Sequence, residues 1–195
     1  FNYRQGERFA VKNGKAVYSV PNEVSGEYPA NNTFSTVFIN PDRFNFGMSV
    51  KVNKRVTLAS ELALMNWSAF ENQNFDLAIN TNEVQDIDAP RFYNNNYRFS
   101  LGVDYQESCC LALRFGFAYE SSPLNKNFYS PQTPMQDRIS LNAGISYDFD
   151  DKISVLGAYS YGTGSDLRAN YTPDNFSGVY KTLTNNFTIG FAIKM

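Results

Sequence analysis

Hydrophobic and polar residues alternate along most of this chain. From Tyr97 to Gln106 the odd positions are Tyr97, Phe99, Leu101, Val103 and Tyr105, and the even ones Arg98, Ser100, Gly102, Asp104 and Gln106. A period of two sends successive side chains to opposite faces of a strand. The next run sets Leu111, Leu113, Phe115, Phe117 and Tyr119 against Ala112, Arg114, Gly116, Ala118 and Glu120. Ile139 to Phe149 does the same, and Ile153 to Tyr161 follows more loosely. Upstream, Phe44, Phe46, Met48, Val50 and Val52 alternate with Arg43, Asn45, Gly47, Ser49 and Lys51, and Val56, Leu58, Leu62 and Leu64 continue after a turn at Asn53-Lys54. The last run carries Phe187, Ile189, Phe191, Ile193 and Met195 on one side. With a partial strand at Phe1 to Gln5, the pattern predicts about eight antiparallel strands of roughly nine or more residues, long enough to cross a bilayer at a tilt.

Short turns near Asn53, Ser108 and Asp151 alternate with long polar segments, Gln5 to Phe34, Glu71 to Asn96, Ser121 to Gln136 and Gly162 to Thr182. A transmembrane barrel has this rhythm, with short periplasmic turns and long outer loops. A soluble β-sandwich also alternates, but three features favour the barrel. One face carries bulky Phe, Tyr, Leu and Ile while the other is polar and rich in small residues such as Gly47, Gly102, Gly116, Gly144 and Gly190, as suits a lipid-facing wall around a polar lumen. Trp67, Tyr97, Tyr105, Tyr119, Tyr147, Tyr159 and Tyr161 lie near strand ends, where aromatic belts meet the membrane interfaces. The final run is itself an amphipathic strand. The expected fold is all-β, an antiparallel transmembrane β-barrel.

Composition narrows function. The 195 residues include 13 Tyr and 17 Phe, no His, and a net charge of −2 from 17 basic and 19 acidic residues. No run approaches the roughly 18 apolar residues of a membrane-spanning helix, so a membrane protein of this composition crosses with strands. Without clustered Lys and Arg, nucleic acid is not an expected partner. The lack of His removes Ser/His/Asp and Cys/His catalysis, and no phosphate loop or metal-ligand spacing appears, so neither an enzyme nor a cofactor is expected. Asp150-Asp151 reads as turn chemistry, and Asp86 with Asp88 as loop carboxylates rather than a calcium site. Cys109 and Cys110 are adjacent, too close for an ordinary disulfide framework; they read as two plain thiols, with a strained vicinal disulfide as the rarer alternative.

Alternation points Arg43, Lys51, Glu61, Arg98, Asp104, Arg114, Glu120, Arg138 and Asp148 into the lumen. Mutual pairing accounts for most of these charges; Arg98 and Arg114 are the candidates to neutralise a ligand carboxylate. Phe70, Phe75, Leu77, Ile79, Phe92, Phe128, Tyr129, Phe176 and Tyr180 fall in the long segments. They either form an apolar groove that captures a hydrophobic molecule or pack loop on loop.

Several segments resemble the FadL/TodX family of outer-membrane transporters. They are Asn40-Pro41-Asp42-Arg43, the run from Met65 to Phe70, and a stretch with Gly116, Tyr119, Glu120, Ser122 and Pro123 that leads through Pro131 and Pro134 to Asp137 and Arg138. Ile145 to Phe149 and Ala158 to Tyr161 follow in similar order. The resemblance runs from about Tyr3 to the end. It implies a barrel of about fourteen strands with an N-terminal hatch. Residues 1–195 are then expected to be the C-terminal portion of one such domain, without the hatch and the first strands. Met195 departs from the usual terminal Phe. The implied function is passive uptake of hydrophobic molecules such as long-chain fatty acids through the bacterial outer membrane, with lipid and lipopolysaccharide as surroundings. The alternative is a structural or accessory barrel subunit of a larger secretion or surface-protein assembly, with other outer-membrane proteins as partners.

Overall fold

The computed structural model describes residues 1–129, 135–172 and 175–193, with backbone alone at 176; Pro131, Pro134, Met195 and the Phe176 side chain lie outside the described residues. Eight antiparallel strands form the main sheet: β1 (Asn2–Arg4), β4 (Arg43–Lys51), β5 (Val56–Met65), β8 (Asn96–Gln106), β9 (Leu111–Glu120), β10 (Arg138–Asp148), β11 (Ile153–Gly164) and β14 (Leu183–Ile193), in that spatial order. Apart from β1, they are 9 to 12 residues long. At about 3.3 Å per residue and a tilt of about 40° such strands rise roughly 23–30 Å, the height of a bilayer's apolar band. Among the described residues β1 and β14 do not pair with each other, so the sheet is a partial barrel.

Register fixes the two faces. Phe46 lies opposite Leu62, Leu62 opposite Phe99, Phe99 opposite Tyr119 and Tyr119 opposite Ile139, so one face is a continuous apolar surface. It is exposed rather than buried, with Phe187 at 80% and Ile189 and Phe191 at 75% of full exposure. An apolar patch of this extent is untenable in water and is what lipid covers.

The three expected turns are present. In the β10–β11 turn the Asp150 carboxylate accepts the N–H groups of Lys152 and Ile153, both at 2.8 Å, which is the turn chemistry read from the sequence. Asn53 caps the β4–β5 turn in the same way, accepting from Arg55 and Val56.

The long segments are not plain loops. The first holds β2 (Glu7–Ala16) and β3 (Asn32–Asn40), and the second β6 (Asn72–Leu77) and β7 (Ile87–Pro90); together they build a separate sheet in the order β2-β3-β6-β7. The fourth holds the hairpin β12 (Leu167–Tyr171) and β13 (Phe176–Tyr180). Sequence alternation misses β2 because its pairing with β3 slips between Val11 and Gly14, where Asn13 takes φ 57° and breaks the period. The bend from β1 into β2 is clamped by Asp42, whose Oδ1 accepts from the Gly6 N–H and the Tyr3 hydroxyl, each at 2.8 Å. The Gly6 N–H and then the Tyr3 hydroxyl hold the Asp42 carboxyl below the ordinary aspartate range. A Cβ on Gly6 would lie 2.8 Å from the Asn40 carbonyl, so the close approach needs glycine.

Candidate functional site

All four long segments leave the same end of the main sheet, and they pack together there. Phe70, Tyr93, Leu124, Tyr129, Leu167 and Ala169 form a buried cluster, against which Ile39, Trp67, Met135 and Tyr180 pack. Segments are stitched by backbone too: the Asn94 N–H donates to the Pro123 carbonyl at 2.7 Å, and that of Tyr129 to Asn170 at 3.2 Å. Phe70 and Tyr129, candidates for ligand capture, are core residues of this cluster, with Tyr129 only 1% exposed. Burial, then the Tyr180 and Tyr93 hydroxyls, push the Tyr129 phenol up. Phe75 is half-buried against Phe34, at 5.8 Å between ring centres. Trp67, expected as an interface aromatic, packs on Phe70 and Tyr93 in the short 3-10 turn after β5.

Phe92 and Phe128 behave differently. Their rings meet edge to face at 5.0 Å, and Phe92 keeps 45% of its surface exposed. Phe92 also has φ 43°, a left-handed conformation that a bulky side chain avoids. Its cause is visible: the N–H groups of Arg91 and Phe92 both converge on the Glu71 carbonyl, at 2.7 and 2.9 Å, which forces the chain to kink. A strained backbone that holds an aromatic ring outward is the kind of outlier found at functional positions.

The polar face of the main sheet is ordered in rows across the strands. One row runs Ser49, Ala59, Gly102, Gly116, Asn142, Ser160 and Asn186, each directly opposite the next. Its small members leave a groove of about 480 Å³ over Gly47, Ser49, Ala59, Glu61, Ser100 and Gly102. Another row places Glu120 between Arg98 and Arg138. These three, with Ser140, Asn142 and Ser160, line a polar cavity of about 120 Å³.

The two candidate arginines part company here. Arg114 donates from Nε to Asp104 Oδ2 at 2.7 Å and from Nη1 to Ser146 at 3.1 Å, so it is committed to a structural pair. Arg98 has no hydrogen bond or ion pair with any of the described residues and faces the polar cavity. Arg138, one of the expected lumen-facing charges, lies flat across Gly162 to reach the Thr184 hydroxyl at 3.0 Å. A Cβ on Gly162 would come within 2.7 Å of that guanidinium. Arg43 and Glu61 pair at 3.6 Å. Among the other expected interface aromatics, Tyr97 and Tyr119 stack at 5.9 Å, Tyr147 meets Phe149 at 5.0 Å, and Tyr159 meets Phe187 at 4.7 Å, all on the lipid face. Tyr105 and Tyr161 share that face, partly covered.

An open sheet with an exposed apolar face, a polar face with a row of small residues, and long segments packed at one end has the make-up of part of a membrane β-barrel. The profile of the outer membrane protein transport family (OMPP1/FadL/TodX) matches residues 3–194. The chain belongs to this family. It is 28% identical over 143 residues to the long-chain fatty acid transport protein of Escherichia coli K12, across 72% of this chain and 31% of that protein. Outer membrane protein P1 of Haemophilus influenzae is 31% identical over 99 residues, covering 51% and 21%. Among solved structures, a Pseudomonas aeruginosa FadL homologue superposes over 97% of this chain and 46% of its own, with a TM-score of 0.78 at 18% identity. The Pseudomonas putida toluene transporter TodX gives 0.58 at 17% identity over 83% and 41%. The FadL/TodX chain described here thus spans less than half the length of these relatives, and its main sheet is part of an outer-membrane β-barrel of their kind.

Proposed function

We propose that this part of the barrel carries hydrophobic molecules, long-chain fatty acids among them, passively across the outer membrane. The observation that carries the reading is the row from Ser49 to Asn186, which lines the lumen with small side chains across seven strands. A purely structural or accessory barrel would be expected to fill its interior with large side chains instead. Relatives named for fatty-acid and toluene transport support the substrate class.

Two finer roles follow. Phe92 and Phe128 form the apolar contact that first receives the substrate from the lipopolysaccharide layer, because the strained, exposed Phe92 ring is presented outward against the half-buried Phe128. Arg98, beside Glu120 and Arg138, receives a substrate carboxylate; Arg114 does not, since Asp104 already holds it.

Uptake of labelled oleate and of a labelled alkane by cells expressing the protein tests the carboxylate role. Arg98→Gln is expected to raise half-saturation for oleate by about tenfold, the loss of one charge-assisted contact, and to leave the alkane unchanged. Arg114→Gln should affect neither beyond its effect on protein level. Equal effects of Arg98→Gln on both substrates, or none, contradict the carboxylate role.

A further inference from the structure

The β8–β9 turn carries a feature the transport reading does not use. Cys109 and Cys110 sit at its tip, with Cys109 exposed and Cys110 half-exposed, and their Sγ atoms are 3.0 Å apart. That is inside van der Waals contact and about 1 Å beyond a disulfide bond. The turn is held on both sides of the pair. The Ser108 hydroxyl accepts the N–H groups of Cys110 and Leu111, at 3.4 and 3.2 Å, and the Gln106 amide donates to the Ser108 carbonyl at 2.7 Å. The Cys110 carbonyl accepts the Asp148 N–H at 2.8 Å, which ties it to β10. A backbone pinned at these points keeps the two sulfurs together instead of letting them diverge. The turn is one of the three short ones, opposite the long segments, and so faces the periplasm, an oxidising compartment.

We propose that Cys109 and Cys110 form a reversible thiol–disulfide site on the periplasmic rim of the barrel, closing to a vicinal disulfide by exchange with a periplasmic disulfide. The thiolate of Cys109, the more exposed of the two, attacks the incoming disulfide, forms a mixed disulfide and releases one thiolate of the oxidant. Cys110 then loses its proton to solvent and attacks the Cys109 sulfur; the second thiolate of the oxidant leaves. Two thiols of the turn are oxidised and one disulfide is reduced to two thiols. Because adjacent Cα atoms stand only about 3.8 Å apart, against the usual 4.4–6.8 Å, the ring is strained and opens readily to reductant. The Cys109 thiol beside it, burial, and the Asp148 and Asp151 carboxylates across the neighbouring turn push the Cys110 thiol up, which slows closure in weakly acidic medium.

The test is mass spectrometry of the protein taken from outer membranes with N-ethylmaleimide present at lysis. The peptide with both cysteines is expected two hydrogens lighter than the dithiol and unlabelled, and to take two labels after reduced glutathione. Two labels without reductant, persisting after treatment with diamide, overturn the proposal. So do copies cross-linked through Cys109, or a disulfide that reduced glutathione leaves intact.

Discussion

At the scale of single residues, the structure separates side chains that share a chemistry. Arg98 and Arg114 are both inward cations on one hairpin, and sequence alternation ranks them equally. Pairing across that hairpin sets Arg98 opposite Glu120 and Arg114 opposite Asp104, but only the second pair closes to an ion pair. The closed one is structural. Alternation places Arg138 in the lumen but not its contact with Thr184, which depends on the missing side chain at Gly162, one strand away. Gly162→Val should displace the guanidinium from Thr184 and alter the polar cavity beside Glu120, seen as lower oleate uptake at unchanged protein level. Phe92→Gly should do two opposed things. Removing a strained φ is worth about 1–3 kcal/mol, so protease resistance of the outer segments should rise, while uptake at low substrate falls several-fold. At Asp42 the folded carboxyl titrates below its ordinary 3.8. The clamp therefore contributes fully above that value and is lost as pH falls through the lower folded one. Protection of the Gly6 amide, its exchange rate relative to the intrinsic rate at the same pH, should fall on acidification below about pH 4, and Asp42→Asn should remove that pH dependence.

Elements were legible where one strand carries its own signal. Eight strands and three short turns follow from alternation and from Asn53, Ser108 and Asp150, because a half-apolar strand needs no knowledge of its neighbour. The four strands of the second sheet did not show, and the reason is physical. β3 gains its place by pairing with β6 some 40 residues on, Phe34 opposite Leu77 and Thr36 opposite Phe75, and β2 is interrupted at Asn13. The apolar residues of the long segments allowed a groove or packing, and packing holds for Phe70 and Tyr129, whereas Phe92 stays exposed beside a half-buried Phe128. Tyr129→Ala should cost about 3 kcal/mol locally. Trypsin should then cut at Lys126 much faster in the variant, with the membrane strands unaffected.

For the whole molecule, two surfaces of one sheet have opposite solvents. Exposed Phe187, Ile189 and Phe191 need lipid, and the polar face needs an aqueous or substrate-filled lumen. The family match from residue 3 to 194 places that sheet in an outer-membrane barrel, and the row of small side chains gives the lumen its free space. Register was the part hidden from sequence: Gly102 and Gly116 were visible as small residues, but their standing opposite each other, in line with Ala59, Asn142 and Ser160, was not. The most direct measurement is uptake of labelled oleate by cells carrying Gly102→Trp or Gly116→Trp, beside Leu101→Trp on the lipid face, with heat-modifiable migration confirming that each barrel folds. A lumen path through the small-residue row predicts at least about a tenfold loss for the two lumen variants, the rate cost of roughly 1.4 kcal/mol or more, and little change for Leu101→Trp. Unimpaired uptake by folded Gly102→Trp and Gly116→Trp would contradict it.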